Sequence, residues 1–291
     1  MRYEGPIYRP PSEAGSLLIQ ATVGCPHNRC TFCMVYKKGP RYRVRPVNDI
    51  IEDLETAKAA CTDTVRTIFF PAGNTIAAPT DTLAAVFSAA RRIFPEVKRL
   101  TVYGSAFYIL EKGEQDLRRL ADAGLTRIHV GLESGHDKVL TDIKKGAGRE
   151  CQIRAGMLLN KAGIENNTYV MLGIGGKDMS RDHALQTATA LNYIAPHTIR
   201  LRTFVPKVGT PLLHKVQKGR FVMAGPHDVL REAKILLENL SIPAHFKSDH
   251  YTNYVNLDGD LPADKDRLLR TIEEAMASDE SRFRPFFIGT Q

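Results

Sequence analysis

Strand-like segments alternate with amphipathic helical segments from about Ser16 onward, and this alternation constrains the fold more than any other feature of the sequence. Each pair predicts a strand followed by a helix, and a series of such pairs forms a parallel sheet covered by helices. The predicted strands are 17–23, 66–70, 99–103, 127–132, 165–172 and 198–204. The predicted helices are 49–60, 80–93, 114–123, 150–162, 180–195 and 227–240.

The six strand–helix pairs predict an α/β fold. In a chain of 291 residues they favour a partial (βα)6 TIM-like barrel of parallel strands with a C-terminal extension. No linker-like or low-complexity segment interrupts the chain. We therefore expect a single domain over 1–291, with the barrel at about 16–240 and the extension at about 241–291. The extension should add an extended stretch at 245–249 and a helix at about 264–277.

The composition favours a folded protein outside the membrane. Hydrophobic residues make up 43% of the chain, which is enough for a substantial core. No stretch reaches the roughly 18 apolar residues that span a bilayer, and the N-terminus lacks the apolar segment of a secretion signal. The odd number of cysteines, five, suits an intracellular metal site better than a set of disulfides. We expect a soluble cytoplasmic protein with no membrane partner.

Three of the five cysteines lie within nine positions, directly after the first predicted strand. They are Cys25, Cys30 and Cys33, with the spacing C-x4-C-x2-C. Thiolates are soft ligands that suit an iron–sulfur cluster or zinc. Three ligands favour a cluster with one open iron, because structural zinc takes four. A zinc site completed by His27, Cys61 or Cys151 is the alternative that the spacing leaves open.

Further motifs follow the predicted strands at their carboxyl ends, which form the functional face of a (βα) barrel. They are Phe70-Pro71-Ala72-Gly73-Asn74, Gly131-Leu132-Glu133-Ser134-Gly135 and Leu172-Gly173-Ile174-Gly175-Gly176. Arg200 and Arg202 alternate on the sixth strand and so face the same side. In a barrel interior a guanidinium needs an anionic partner, which is a cofactor carboxylate, a substrate acid or an internal salt bridge.

The order and spacing of these motifs, from about Ser16 to Thr210, resemble those of the radical S-adenosylmethionine superfamily. The resemblance implies that the three cysteines bind a [4Fe–4S] cluster, although the first gap is one residue longer than the commonest spacing in that family. It also implies an S-adenosylmethionine site. The residues implied in cofactor binding are Phe32, Gly73, Asn74, Glu133, Gly173, Ile174, Arg200 and Arg202.

Individual roles follow from the same resemblance. The turn at Gly73 would contact the methionine amino group, and Glu133 would hydrogen-bond the ribose hydroxyls. Phe32 and the turn at Gly173 would lie at the adenine. The segment from Pro206 to Leu212 is similar to the branch that contains oxygen-independent coproporphyrinogen oxidases and the elongator and methylthiotransferase radical domains.

The implied activity is reductive cleavage of S-adenosylmethionine to a 5′-deoxyadenosyl radical, which abstracts hydrogen from a substrate. Such chemistry needs a low-potential electron donor such as flavodoxin or ferredoxin. Tyr103, His250 and Tyr251 are the candidate catalytic residues, because they lie at the ends of predicted strands.

The distribution of charge points to an anionic substrate. The net charge is +8, and two acid-free runs, from Ala14 to Asn48 and from His183 to His227, carry six Lys or Arg residues each. A porphyrin-like polycarboxylate, a phosphorylated metabolite or tRNA would fit, but no appended RNA-binding domain is visible, which argues against nucleic acid. Two other functions stay open: a cluster-containing haem or tetrapyrrole carrier, and a zinc-dependent nucleic-acid-binding protein.

Overall fold

Strands and helices alternate along the chain in the computed structural model, which describes residues 1–61 and 63–290. The strands are β1 (Leu17–Leu18), β2 (Thr22–Val23), β3 (Arg43–Val44), β4 (Thr67–Phe70), β5 (Arg99–Gly104), β6 (Leu125–Glu133), β7 (Glu165–Leu172), β8 (Thr198–Thr203), β9 (Ala244–Lys247) and β10 (Asp258–Leu261). The helices are α1 (Val47–Ala60), α2 (Thr80–Ile93), α3 (Ala106–Asp122), α4 (Asp137–Asp142), α5 (Arg149–Lys161), α6 (Ser180–Ile194), α7 (Pro211–Gln217), α8 (Pro226–Glu238) and α9 (Lys265–Met276).

These elements fall into two compact units. The first unit consists of Met1–Asn28, Val35–Val130 and Leu158–Asn166. In it β1, β4, β5 and β6 pair in parallel in that order, while β2 and β3 form a small antiparallel pair. Helix α1 packs on α2, and α2 packs on α3. The fully buried rings of Phe70 and Phe87 are 5.2 Å apart and join β4 to α2.

The second unit consists of Arg29–Met34, Gly131–Met157 and the chain from Asn167 onward. Its strands β7, β8 and β9 pair in parallel, and β10 pairs antiparallel to β9. Helix α8 packs between α6 and α9, and its apolar face is fully buried against β8 and β9. Burial of this apolar face stabilises the unit.

The predicted strands are largely confirmed, with one correction at the start of the chain. The segment 17–23 forms two strands, because β1 pairs with β4 whereas β2 pairs with β3. Between them, the buried Arg45 side chain donates a hydrogen bond to the carbonyl of Gln20 and forms an ion pair with Asp53 at 2.7 Å. The backbone N–H of Arg45 also donates to the carbonyl of Ala21, so Arg45 ties the residues between β1 and β2 to the end of β3.

Several elements differ from the sequence expectation. Helix α3 begins at Ala106, earlier than predicted, and Gly113 interrupts it with a φ of 67°. Helices α4 and α7 are too short to give a periodic pattern, and β10 has only four residues. Within residues 1–61 and 63–290, no helix is long and apolar enough to cross a membrane.

A buried carboxylate anchors the N-terminal segment of the first unit. Glu13 is fully buried, its Oε1 is 3.0 Å from Nε2 of His129, and its Oε2 accepts a hydrogen bond from the Ser16 hydroxyl at 2.5 Å. Arg99 approaches the same carboxylate at 3.4 Å. Burial alone would raise the pKa of Glu13, but the hydrogen bonds from His129 and Ser16 outweigh it and lower the pKa to about 2.

Candidate functional site

Cys25 lies in the first unit, where two amide groups donate hydrogen bonds to its sulfur. The side-chain Nδ2 of Asn74 is 3.6 Å from Sγ, and the backbone N–H of Asn28 is 3.5 Å from it. Asn74 is buried, and its Oδ1 has no hydrogen-bond partner among the described residues. Donors aimed at sulfur stabilise a thiolate, which is the form that binds iron.

Gly73 touches the same cysteine. A β-carbon added at position 73 would lie 2.4 Å from Cβ of Cys25 and 2.8 Å from its sulfur, so no larger residue fits without movement of the chain. The N–H of Gly73 donates to the carbonyl of Gly24 at 3.0 Å and fixes this approach. The structure therefore brings Cys25, Gly73 and Asn74 together, as three of the predicted site residues.

Cys30 and Cys33 lie in the second unit, in a loop that is held by backbone hydrogen bonds. The N–H of Thr31 donates to the carbonyl of Ile143 at 2.9 Å, and the carbonyl of Thr31 accepts from Leu212 N–H at 3.0 Å. These bonds fix the loop between the end of α4 and the start of α7. Both thiols interact electrostatically with the ammonium group of Lys145.

Lys145 also binds Glu133, the predicted ribose ligand. Its Nζ lies 3.0 Å from Oε1 of Glu133, and only 9% of the Lys145 side chain is exposed. Burial opposes the charged ammonium, but Glu133, Cys30 and Cys33 together raise the pKa of Lys145 above its ordinary value. One buried cation thus serves both the thiols and the carboxylate.

The backbone of Glu133 is strained. Its φ is +63°, in the left-handed region that costs a residue with a β-carbon about 1 kcal/mol or more. This strain occurs at the end of β6, in the residue whose carboxylate pairs with Lys145. Such strain is typical of positions where the direction of a side chain matters more than local stability.

The donor set fits an iron–sulfur cluster. Three thiols occur within nine residues, two amides donate to the first, and the other two interact electrostatically with a buried cation. Within 1–61 and 63–290, no three or more His, Cys, Asp or Glu side chains converge as a single metal ion requires. A cluster is several atoms wide, so its thiolate ligands need not converge in this way.

Phe32 and Ile174 share a hydrophobic cluster in the second unit. Ile174 is 1% exposed and packs with residues of α4, α7 and the ends of β7 and β8, and Phe32 packs against the same group. The turn that carries Ile174 begins at Gly173, whose φ of +75° favours glycine. Two residues predicted to lie at the adenine are therefore brought together.

The two predicted arginines of β8 differ in their surroundings. Arg200 is 5% exposed, and its Nη1 forms a close ion pair with Asp249. Arg202 is half-buried and has no ion pair or hydrogen bond within the described part of the chain. The internal salt bridge considered from the sequence is therefore found at Arg200, and Arg202 keeps an uncompensated positive charge.

His250 lies close to this charge, after β9. Its Nδ1 is 2.7 Å from the Thr252 hydroxyl, and its ring is 4.5 Å from that of Tyr251. Burial, together with the positive charges of Arg202 and Lys207, lowers the pKa of His250 to about 3. The imidazole is therefore neutral near pH 7, and Tyr251 is 64% exposed.

Tyr103, the third catalytic candidate, lies in β5 of the first unit. Its ring packs edge-to-face on Phe69 at 5.1 Å and lies 5.7 Å from the ring of His129. This aromatic packing gives Tyr103 a role in the core of its unit. A catalytic role for Tyr103 stays a prediction.

Sequence reasoning missed Lys145 and the buried Glu232 of α8. The available signal for Lys145 was Lys144-Lys145-Gly146, two cations and a glycine that follow the short helix α4 after the motif that contains Glu133. Glu232 gave a weaker signal, an acidic residue between the apolar residues Leu230 and Ala233 of an amphipathic helix. The fold brings each of them to its partner, Lys145 to Glu133 at the end of β6 and Glu232 to Gly173 after β7.

Two curated relatives come from Methanocaldococcus jannaschii. An uncharacterised protein is 24% identical over 250 residues, which cover 82% of this chain and 74% of that protein. A tRNA uridine(34) acetyltransferase is 24% identical over 110 residues, which cover 38% of this chain. The match spans only 20% of the length of the acetyltransferase.

Solved structures share the fold at low sequence identity. The radical S-adenosylmethionine methyltransferase TsrM from Kitasatospora setae has a TM-score of 0.56 at 19% identity, over 70% of this chain and 39% of TsrM. Coproporphyrinogen III oxidase HemN from Escherichia coli has a TM-score of 0.55 at 15% identity, over 77% and 52% of the two chains. Elp3 from Methanocaldococcus infernus has a TM-score of 0.52 at 17% identity, over 81% and 57%.

These comparisons confirm the predicted α/β class with mostly parallel strands, which in the radical S-adenosylmethionine structures form a partial TIM barrel. HemN and Elp3, which share this fold, are a coproporphyrinogen III oxidase and an Elp3 protein, the kinds of protein that the predicted branch contains. The family model described as "Radical SAM superfamily" matches residues 19–188, which is more than half of the chain. This span includes all three clustered cysteines. The chain therefore belongs to the radical S-adenosylmethionine superfamily, whose enzymes use a [4Fe–4S] cluster and S-adenosylmethionine.

Proposed function

We propose that the chain is an enzyme that cleaves S-adenosylmethionine reductively at a [4Fe–4S] cluster and abstracts hydrogen from an anionic small molecule. Cys25, Cys30 and Cys33 would hold the cluster. When bound, the cluster supplies the electron that converts S-adenosylmethionine to methionine and a 5′-deoxyadenosyl radical. The observation that carries the proposal is the buried Lys145, which interacts with two of these thiols and with Glu133.

The residues of the chain would position the cofactor and exclude water. The Glu133 carboxylate, oriented by Lys145 at 3.0 Å, is suited to accept hydrogen bonds from the ribose hydroxyls. The half-buried Phe32, which packs against the cluster that contains the buried Ile174, would offer an apolar surface to the adenine. Asn74 and Gly73 lie against Cys25, where a backbone contact with the methionine part of the cofactor would fall.

The anionic substrate is inferred from Arg202. Its half-buried guanidinium lacks an ion pair in the described residues, whereas the neighbouring Arg200 is neutralised by Asp249. Lys207 adds a second cation that acts on the same imidazole, that of His250. Since His250 is neutral near pH 7, Arg202 and Lys207 would supply the charge that binds a carboxylate or phosphate.

The test of the radical chemistry uses anaerobically reconstituted protein with dithionite and S-adenosylmethionine. Wild-type protein should contain about four irons per chain and release 5′-deoxyadenosine. Cys30→Ala should lose both, and the control Cys61→Ala, at an exposed position, should lose neither. Iron and product retained by Cys30→Ala would contradict the proposal, and a reduced cluster without 5′-deoxyadenosine would favour a carrier.

The substrate class can be tested with a metabolite extract that is separated first by size and then on an anion exchanger. We expect the small anionic fraction to raise 5′-deoxyadenosine formation above the substrate-free level. Stimulation by the neutral fraction would contradict an anionic substrate, and stimulation by the large, nuclease-sensitive fraction would indicate a nucleic acid. A flavodoxin or ferredoxin should replace dithionite as the electron donor in the same assay.

A further inference from the structure

A buried carboxylate on α8 binds the glycine turn that follows β7. Glu232 is 1% exposed, and its Oε1 accepts a hydrogen bond from the backbone N–H of Gly173 at 2.8 Å. The same oxygen lies 2.9 Å from Nδ1 of His183, and Oε2 accepts from the Ser180 hydroxyl at 2.6 Å. A carboxylate can only accept hydrogen bonds, so all three neighbours act as donors.

Helix packing does not require a charge at this position. The neighbouring buried residues of α8, Val229, Leu230, Ala233 and Leu236, are all apolar. A buried carboxylate is costly unless donors surround it, and here the donors come from two other segments, the turn after β7 and the start of α6. Glu232 thus joins three segments of the second unit at the point where the turn begins.

The bond to Gly173 fixes the first peptide group of the turn. Gly173 has a φ of +75°, and its carbonyl accepts a hydrogen bond from Gly176 N–H at 3.0 Å, which closes the turn. Ile174 follows directly and packs in the cluster that includes Phe32. A shift of the Gly173 peptide would therefore move Ile174 against its apolar neighbours.

We propose that Glu232 is a positioning residue for S-adenosylmethionine, acting through the turn from Gly173 to Gly176, and that Ser180 and His183 hold its carboxylate in place. The proposal rests on the proposed function, in which this turn contacts the adenine. Glu232 itself would not touch the cofactor. It fixes the peptide plane of Gly173 and, through the buried Ile174, the position of the turn whose backbone would contact the cofactor.

The test compares Glu232→Ala, Glu232→Gln and Ser180→Ala, with Glu238→Ala as the control at an exposed position of the same helix. Glutamine can still accept from Gly173 N–H and can donate to the Ser180 hydroxyl, so it should rescue most of the effect. Binding of S-adenosylmethionine to the reconstituted protein is measured by equilibrium dialysis. Hydrogen exchange of residues 172–180 is followed in the full chain without S-adenosylmethionine.

We expect Glu232→Ala to weaken S-adenosylmethionine binding by about tenfold or more and Ser180→Ala by about threefold, with Glu232→Gln close to wild type. Hydrogen exchange at 172–180 should rise most in Glu232→Ala, less in Ser180→Ala and least in Glu232→Gln. Iron content should stay unchanged, and Glu238→Ala should behave like the wild type. The rate of 5′-deoxyadenosine formation at saturating S-adenosylmethionine should change less than the apparent KM, because the turn acts on binding.

Unchanged affinity in Glu232→Ala, with normal turnover in the wild type, would contradict the role of Glu232 and leave the proposed function intact. Absence of 5′-deoxyadenosine from the wild type would contradict the proposed function itself. If Glu232→Ala does not fold, the role of Glu232 is tested with Ser180→Ala. Wild-type affinity and wild-type exchange in that variant would overturn the proposal.

Discussion

The ammonium nitrogen of Lys145 lies 3.0 Å from Oε1 of Glu133, and the two side chains are only 9% and 12% exposed. Ion pairs at the surface contribute little to stability, but a buried pair behaves differently, because removal of one partner leaves the other charge without compensation. This pair also holds the one strained residue at the end of β6. The contribution of this pair to the free energy of unfolding can be measured without any cofactor.

Replacement of Lys145 by methionine should lower the free energy of unfolding by about 3 kcal/mol, because the Glu133 carboxylate stays buried and unpaired. Adding Glu133→Gln to that variant should recover part of the loss, since the amide carries no charge. Urea unfolding of the cluster-free protein measures both effects. Lys138→Met, which breaks an exposed pair with Asp142, should cost less than about 0.5 kcal/mol. Equal losses in the two single variants would contradict the buried pair.

Replacement of Gly73 by alanine should prevent normal packing beside Cys25. The new β-carbon would lie 2.4 Å from Cβ of Cys25, so the chain must shift, at a cost of about 1–3 kcal/mol. We expect the variant to retain less than half of the wild-type iron after reconstitution. Gly15→Ala is the matched control, because nothing lies within 4 Å of a β-carbon there. Full iron loading of Gly73→Ala would show that the close approach is not needed.

His250 should make the protein less stable as the pH falls below 6.5, the ordinary pKa of a histidine. Its pKa is about 3 in the folded state, against 6.5 for an unperturbed histidine, so the unfolded chain binds the proton first. Stability should therefore decrease from pH 7 to pH 5, with His250 contributing at most about 2 kcal/mol. Unfolding at the two pH values should show a smaller decrease in His250→Gln. The control His214→Gln, at an exposed position, should keep the wild-type decrease.

Glu13 should stabilise the fold at neutral pH and lose that effect in acid. Its folded pKa of about 2 lies below the ordinary value of 4.5, so its contribution is complete above pH 4.5 and disappears as the pH falls through about 2. Between pH 6 and pH 3 the loss should be about 2 kcal/mol. Glu13→Gln should be less stable at pH 6 and should show a weaker dependence on pH in this range. The same acid sensitivity in both proteins would exclude Glu13 as its source.

The repeating strand–helix pattern predicted most of the fold, because the core faces of long elements leave a clear periodicity. The strand over Glu165–Leu172 and the helix over Thr80–Ile93 have the predicted bounds. The predictions fail where a contact between residues far apart in the sequence determines the local structure. The division between β1 and β2 depends on Arg45, more than twenty residues further along the chain, and α4 and α7 are too short for a pattern to appear.

The sequence predicts those site residues that belong to a motif of fixed spacing. It does not predict which charged residues pair, because the fold brings such partners together from distant positions. The cysteines and the glycine turns belong to the first kind. Arg200 and Arg202 look alike in sequence, yet Asp249 neutralises only Arg200. Lys145 and Glu232 belong to the second kind, since their partners lie 12 and 59 positions away along the chain.

The left-handed backbone at Glu133 has an evolutionary consequence. Glycine and asparagine adopt this conformation at lower cost than glutamate, so a glutamate is retained there only while selection acts on its carboxylate. Glycine or asparagine at position 133 would relieve the backbone but leave the Lys145 ammonium buried without its partner. Positions 133 and 145 should therefore change together among homologues.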